Sequence, residues 1–291
     1  MIKQNLIGGG ICTIIFLSCF FYGEGGMVFY FNIISFLVVL SGTIGAAFLS
    51  FPYERLRNAY KVAVNSYKKD LVNSADQIVN LLLDISVRSR SEGVLSLDKL
   101  EKTTQITFLK NALSLLIDGY REDEIRSVLH NEMHYFKTRR QHSERVFRTA
   151  ALVAPGFGVA GSIIGLIGML YGVGDTGVIL KTIPMALTST LYGTVLCYYV
   201  LVPIAENIHS KTQKELFMQS IMTDGVIEIG REQNLYKLER RLSSFLTPSA
   251  REGKQESLKE LRNRYIKMKT EQKRAADAVS LNAFLALSGK S

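Results

Sequence analysis

Five side-chain hydroxyls sit where hydroxyls are scarce. Ser162 lies in a run without charge over residues 150–171, and Thr188, Ser189, Thr190 and Thr194 lie in a second such run over 182–205. Tyr192 adds a phenol to the same stretch. At bilayer depth such oxygens either return a hydrogen bond to their own helix or line a path for a cation. Ser162, Thr190, Tyr192 and Thr194 are the candidate lining. A cation crossing hydrocarbon normally needs an ionisable residue to hold it, and no Asp, Glu, Lys, Arg or His lies inside these runs. Either the chain conducts no ion, or a second chain supplies the carboxylate. The residues alone leave both open.

Other chemistry is poorly represented. GFGVAG at 156–161 has the letters of a dinucleotide fingerprint, but that fingerprint needs a preceding strand in a βαβ frame, and here it lies within an uncharged span. Gly158, Gly161 and Gly165 read instead as a groove for close helix packing. His130 and His134 share a helix face at metal-ligand spacing. The residues between them are Asn131, Glu132 and Met133, with no cysteine near, so a solvated pair is favoured over a metal site. Cys12, Cys19 and Cys197 fall inside apolar runs without CxxC spacing and read as packing residues. No nucleophile, acid/base pair or cofactor motif supports an enzyme.

These residues need helices to position them. The chain of 291 residues is 47% hydrophobic and 21% charged, with a mean hydropathy of +0.13, which fits a protein divided between bilayer and water. The pattern predicts an all-α membrane protein with four transmembrane helices. Residues 1–52 form a first hairpin with spans at about 6–22 and 27–51; residues 147–206 form a second, with spans at about 150–173 and 178–204. Over 27–51 a helix would reach about 37 Å, enough for a ~30 Å hydrocarbon core. Ser41, Gly42, Gly45 and Ala46 would admit a close neighbour there.

Between the hairpins, residues 53–146 read as a helical cytoplasmic insertion. Leu71, Ile78, Leu81, Leu82 and Ile85 form one apolar stripe; Leu109, Leu113, Leu116 and Ile117 form another. A turn-like stretch over 88–102 separates them. A helix from about 123 is expected to run unbroken into the third span. Residues 207–247 read as a cytoplasmic helix and 248–291 as a charged, flexible tail. The net charge of +9 could suggest nucleic acid, but its distribution decides otherwise. Of 35 Lys and Arg, 16 lie in 52–146 and 16 in 206–291. Basic residues beside apolar spans mark cytoplasmic loops, which puts both termini inside. No basic segment is interleaved with stacking aromatics, so nucleic acid is not an expected partner.

With these features in place, the chain resembles flagellar stator proteins of the MotA/PomA type, within the MotA/TolQ/ExbB proton channel group. The resemblance covers about residues 5–235. It is carried by APGFG at 154–158 through Gly165 and Leu166, by Ala186-Leu187 and TLYG at 190–193, and by Pro203-Ile204-Ala205. It implies an ion-conducting stator subunit that turns inward H+ or Na+ flow into rotation. It further implies a homopentamer around a dimer of a single-span MotB/PomB-type partner, whose membrane Asp carries the ion. The location implied is the bacterial inner membrane, in contact with lipid. A related energiser of another envelope machine, for gliding or transport, is the alternative.

The resemblance also assigns residues. Arg90 and Asp98 become charges that meet the rotor switch protein (FliG type), with Asp98 standing where relatives usually carry Glu. Arg88 and Glu132 are secondary contacts. The ordinary alternative for each is an exposed surface charge. Pro155 and Pro203 match prolines that couple ion passage to movement; as residues they remove a backbone donor and kink a helix. Thr190 and Ser162 fall at the positions where sodium-driven members carry Thr. Serine keeps an oxygen that could coordinate Na+, which inclines the reading to sodium and leaves H+ open.

Overall fold

In the computed structural model the apolar runs and amphipathic stripes become ten α-helices among the described residues, which are 2–18, 30–68, 74–171, 175–231, 235–246 and 270. In chain order they are α1 (Ile2–Ser18), α2 (Ile33–Ser50), α3 (Tyr53–Ser66), α4 (Ala75–Glu92), α5 (Asp98–Thr103), α6 (Thr107–Ile117), α7 (Glu122–Tyr171), α8 (Thr176–Val195), α9 (Val202–Gly230) and α10 (Leu235–Ser243). No strand occurs among these residues, so GFGVAG lies inside α7 with no βαβ frame. Three helical stretches are long and apolar enough to cross a membrane: Ile33–Ser50, Glu122–Tyr171 and Thr176–Gly230. The first expected span falls in α1, whose apolar part is the shorter Ile7–Phe16. The end of the first expected span at 19–22, the glycine-rich turn at 23–26, the expected start of the second span at 27, Leu71, residues 173 and 174 of the turn at 173–177 and nearly all of the tail beyond 248 lie outside the described residues.

The chain divides into two units, Met1–Lys68 with Arg139–Lys211, and Lys69–Thr138 with Thr212–Ser291. The first contains the apolar helices. α2 begins at Ile33, where Asn32 is an extended N-cap residue. Its side-chain oxygen accepts the N–H groups of Ile34 and Ser35 at 3.1 Å each, which satisfies donors that a helix start leaves open. α2 ends where Phe51 and Pro52 turn extended, so α3 is a separate helix rather than a continuation. Lys211 Nζ donates to the carbonyls of Asn65, Ser66 and Lys68 at 3.3, 3.3 and 2.9 Å. This places a cation on the carbonyl end of α3, where the helix dipole favours it.

α7 runs unbroken through Pro155, as the absence of a breaker before it predicts. α8 also carries a proline within it, Pro184, which sequence reasoning passed over. Between α8 and α9 the helix widens into a π segment, Leu196–Leu201, where the Val202 N–H bonds the Cys197 carbonyl five residues back. The next residue is Pro203, whose ring would clash with the carbonyl four residues before it in a regular helix. The wider turn absorbs that conflict, so the strain of Pro203 appears upstream as a π segment.

The second unit has its own core. The predicted stripes supply it: Ile78, Leu82 and Ile85 of α4 and Leu109, Leu113 and Leu116 of α6 are buried, with Leu81 and Ile117 packed at its edge. Leu129 of α7, Ile221 of α9 and Leu238 and Leu242 of α10 complete it. The stretch expected to be turn-like over 88–102 is more ordered than that. α4 continues to Glu92 and stops at Gly93, whose φ of 83° suits glycine. A 3-10 turn, Val94–Leu97, then buries Leu97 and leads directly into α5. The hidden signal was Leu97, a single apolar anchor too isolated to form a stripe. The expected helix over 207–247 is two helices, α9 and α10.

Candidate ion-path site

The five hydroxyls separate into distinct roles once α7 and α8 pack. Ser162 Oγ and Thr190 Oγ1 meet at 2.5 Å across the two helices. Ser162 also approaches the Gly158 carbonyl at 3.2 Å and makes a close hydrogen bond to the Ala186 carbonyl. Ser162 has one proton to donate, so Thr190 is free to donate toward it. Two hydroxyl oxygens and two carbonyl oxygens thus gather at one point on the charge-free stretches of the two helices. Thr190 is exposed in the single chain and Ser162 half-buried. Thr194, one turn further along α8, donates back to its own helix at Thr190 and Leu191, 3.1 and 2.9 Å.

The remaining hydroxyls face elsewhere. Thr188 is buried and bonds Ser35 Oγ at 3.2 Å and the Pro184 carbonyl at 2.7 Å, while Ser35 Oγ donates to the Met185 carbonyl at 2.9 Å. This is polar glue between α2 and α8. Ser189 is fully buried and its hydroxyl has no partner. Tyr192 does not join Ser162 and Thr190. Its hydroxyl donates to the Tyr30 carbonyl and accepts the Asn32 N–H at 3.0 Å, with its ring edge-on to Phe36 at 6.0 Å. It ties α8 to the start of α2.

The glycines bring the oxygens together. A Cβ placed on Gly158 would stand 3.0 Å from the Ser189 carbonyl oxygen and 3.2 Å from the Cα atoms of Gly193 and Thr190. One on Gly165 would stand 3.0 Å from Ala186, and one on Gly161 would overlap the Ser189 hydroxyl. Facing them, a Cβ on Gly193 would lie 2.8 Å from the Ala154 carbonyl oxygen. Small residues let the two backbones approach this closely in a membrane, where apolar burial between helices contributes little. In α2 the expectation holds for one glycine: Gly42 abuts the Phe157 ring, whereas Gly45 meets nothing within 4 Å.

Charges outside the apolar stretches form two clusters that sequence reasoning missed. In the first unit, Arg148 Nε bonds Glu144 at 2.7 Å and its Nη2 bonds Glu206 at 3.1 Å, while His209 Nδ1 meets Glu144 at 3.1 Å. The cluster joins α7 to α9 near Pro155 and Pro203. In the second unit, Glu228 is only 3% exposed and is held by Arg231 at 3.1 Å and by Arg241. Arg231 Nε also bonds Glu122 at 2.6 Å, and Arg126 lies 3.5 Å from both Glu122 and Asp224. The Arg231 hydrogen bond holds the Glu122 carboxyl below its usual range, opposed by desolvation and aided by the Arg231 and Arg126 charges. Only the side-chain partners, separated by up to 109 residues in the chain, reveal such clusters.

The charges expected to face a rotor lie in the second unit. Arg88 is exposed and Arg90 partly so on the last turns of α4. Asp98 opens α5 and pairs with Lys102 at 2.7 Å. Glu132 on α7 accepts from Asn111 Nδ2 at 3.4 Å. His130 and His134 are exposed, and no group of three or more His, Cys, Asp or Glu suited to a metal occurs among the described residues.

The chain is similar to known proteins over most of its length. Bacillus subtilis (strain 168) protein YtxD is 32% identical over 260 residues, spanning 89% of this chain and 94% of that one. Motility protein A of Borreliella burgdorferi is 27% identical over 252 residues, 85% of this chain and 95% of its own length. The flagellar MotAB stator complex of Bacillus subtilis contains a chain that superposes with a TM-score of 0.78 at 25% identity, covering 86% of this chain and 98% of that one. Residues 101–220 match the profile of one family, and the extent of these likenesses makes the assignment direct: this chain belongs to the MotA/TolQ/ExbB proton channel family.

Proposed function

We propose that the chain is the ion-channel subunit of a flagellar stator. The observation that carries this reading is the Ser162–Thr190 oxygen cluster on two helices that hold no ionisable side chain along their apolar lengths. Such a site offers a cation partial ligands but no counter-charge, which leaves the carboxylate to a partner of the MotB type. The subunit spans the inner membrane four times with both termini cytoplasmic, and five copies surround a dimer of that partner. An inward charge moved through 100 mV releases about 2.3 kcal/mol. Each step of the partner carboxylate past Ser162 and Thr190 shifts α7 and α9 at Pro155 and Pro203. Arg90 and Asp98, with Arg88 and Glu132, deliver the movement to the rotor. The ion is Na+ or H+, and the two hydroxyls favour Na+.

Thr190→Ala tests the assignment. Co-expressed with its partner, the variant should assemble and localise as wild type does, yet lose ion flux and swimming. Wild-type flux would refute the ion path. Replacing Na+ with K+ at fixed pH should abolish motility in a sodium motor, and persistence of swimming would assign the ion as H+.

A further inference from the structure

One helix carries a surface that neither the ion path nor the rotor contact uses. α3 follows α2 after the extended pair Phe51 and Pro52. Its buried side is made of small residues, Ala59, Ala63 and Ser66. The side next to it, about a quarter turn round the helix, carries Tyr53, Tyr60 and Val64, with Tyr67 at its end, 68, 69, 45 and 61% exposed. Those positions recur at helical spacing and make one continuous stripe. Arg57, Lys61 and Lys68 lie along one flank of the stripe and are all exposed. None of the three is ion-paired to a carboxylate among the described residues. Glu54, in the first turn, is the single acid of the helix.

A row of exposed tyrosines is unfavourable in open water. It matches a headgroup layer, where the ring sits among acyl carbons and the hydroxyl stays wet. The flanking cations reach phosphate from the same depth, with their methylene stems lying against apolar surface. The place in the chain agrees, because α2 ends with Phe48 and Leu49 exposed, at 54 and 92%, immediately before the turn into α3. A lipid-facing span thus leads directly into an aromatic and basic helix.

We propose that α3 is a binding surface for anionic phospholipid of the cytoplasmic leaflet, with Arg57, Lys61 and Lys68 on the phosphates and Tyr53, Tyr60 and Tyr67 in the headgroup layer. This rests on the reading that the end of α2 is cytoplasmic. A two-fold pairing of this face between copies is disfavoured, because it would bring these cations together. The Lys211 contacts that cap α3 hold its carbonyl end in place, so the stripe is presented rather than mobile.

The test uses the full chain purified with its partner and exchanged into nanodiscs of phosphatidylcholine containing a minor fraction of phosphatidylglycerol. Co-purifying lipid is measured after detergent extraction. Wild type should retain phosphatidylglycerol in preference to phosphatidylcholine. The triple variant Arg57→Gln, Lys61→Gln, Lys68→Gln should lose roughly fivefold in that preference for each charge removed. The charge-conserving triple Arg57→Lys, Lys61→Arg, Lys68→Arg should keep it and controls for folding. Equal retention of the two lipids by wild type, or an unchanged preference in the glutamine variant, overturns the proposal. Efficient disulfide cross-linking between copies through Tyr60→Cys, with Cys12, Cys19 and Cys197 replaced by Ser, would also overturn it in favour of a second copy. None of these readouts measures ion flux, so failure here leaves the channel reading intact, and loss of the channel reading leaves the lipid result standing.

Discussion

Replacing Gly193 by alanine should separate the two helices that form the oxygen cluster. The new Cβ would fall 2.8 Å from the Ala154 carbonyl oxygen and 3.0 Å from Gly158 Cα. Both obstacles are backbone, so no rotamer change relieves them. Ordinary carbon contacts lie near 3.5 Å or beyond, and α7 and α8 must move apart by several tenths of an ångström. Overpacking of this kind costs about 1–3 kcal/mol. The gain of alanine over glycine in helix propensity, roughly 1 kcal/mol, offsets only part of it. The same displacement stretches the 2.5 Å Ser162–Thr190 contact one turn away. The expected result is a lowered Tm of the purified complex together with reduced ion flux. Gly168→Ala is the internal control, because its Cβ would meet only the Thr182 methyl at 3.5 Å. It should leave Tm unchanged or raise it. A Gly193→Ala protein with wild-type Tm and flux would refute the argument that this crossing sets the cluster.

Two further outcomes follow from the structure. Glu122 has its carboxyl pKa lowered, first by the Arg231 hydrogen bond. Its contribution is therefore present above the unfolded carboxylate value and lost as pH falls through the depressed folded value. Arg231→Gln should reduce the acid sensitivity of thermal unfolding over that window, and an unchanged pH profile would show that the pair contributes nothing. Tyr192→Phe removes the acceptor for the Asn32 N–H and leaves that donor without this bond, a cost of about 1–3 kcal/mol. A Tm within error of wild type would show that water or Tyr30 compensates.

Much of the helical framework was legible because its cause is local. Apolar runs free of charge, and stripes at helical spacing such as Leu109, Leu113 and Leu116, need no knowledge of what they pack against. The unbroken passage of α7 into its apolar half likewise follows from the absence of a breaker. The first unit's charge-free runs also showed that a cation path there would have no carboxylate of its own, since absence is a property of the residues themselves. Where an element is held by a single anchor, this reasoning runs out: Leu97 orders the stretch after Gly93, and Pro203 acts on the turn before it.

The site shows the same division. The residues alone put Ser162, Thr190, Tyr192 and Thr194 in one lining, because a helix displays every direction and only a neighbour distinguishes them. Packing of α7 against α8 through Gly158 and Gly193 brought Ser162 to Thr190. It sealed Ser189 away, while contact with α2 took Thr188 and Tyr192 into ties with Ser35, Tyr30 and Asn32. The charge clusters around Glu144 and Glu228 were equally hidden, since ion pairs join residues remote in the chain. The order of residues determined which helices form and that no counter-charge lies on their apolar lengths. The tertiary structure alone decided which oxygens meet, because hydrogen bonds across helices depend on a crossing point that no single helix contains.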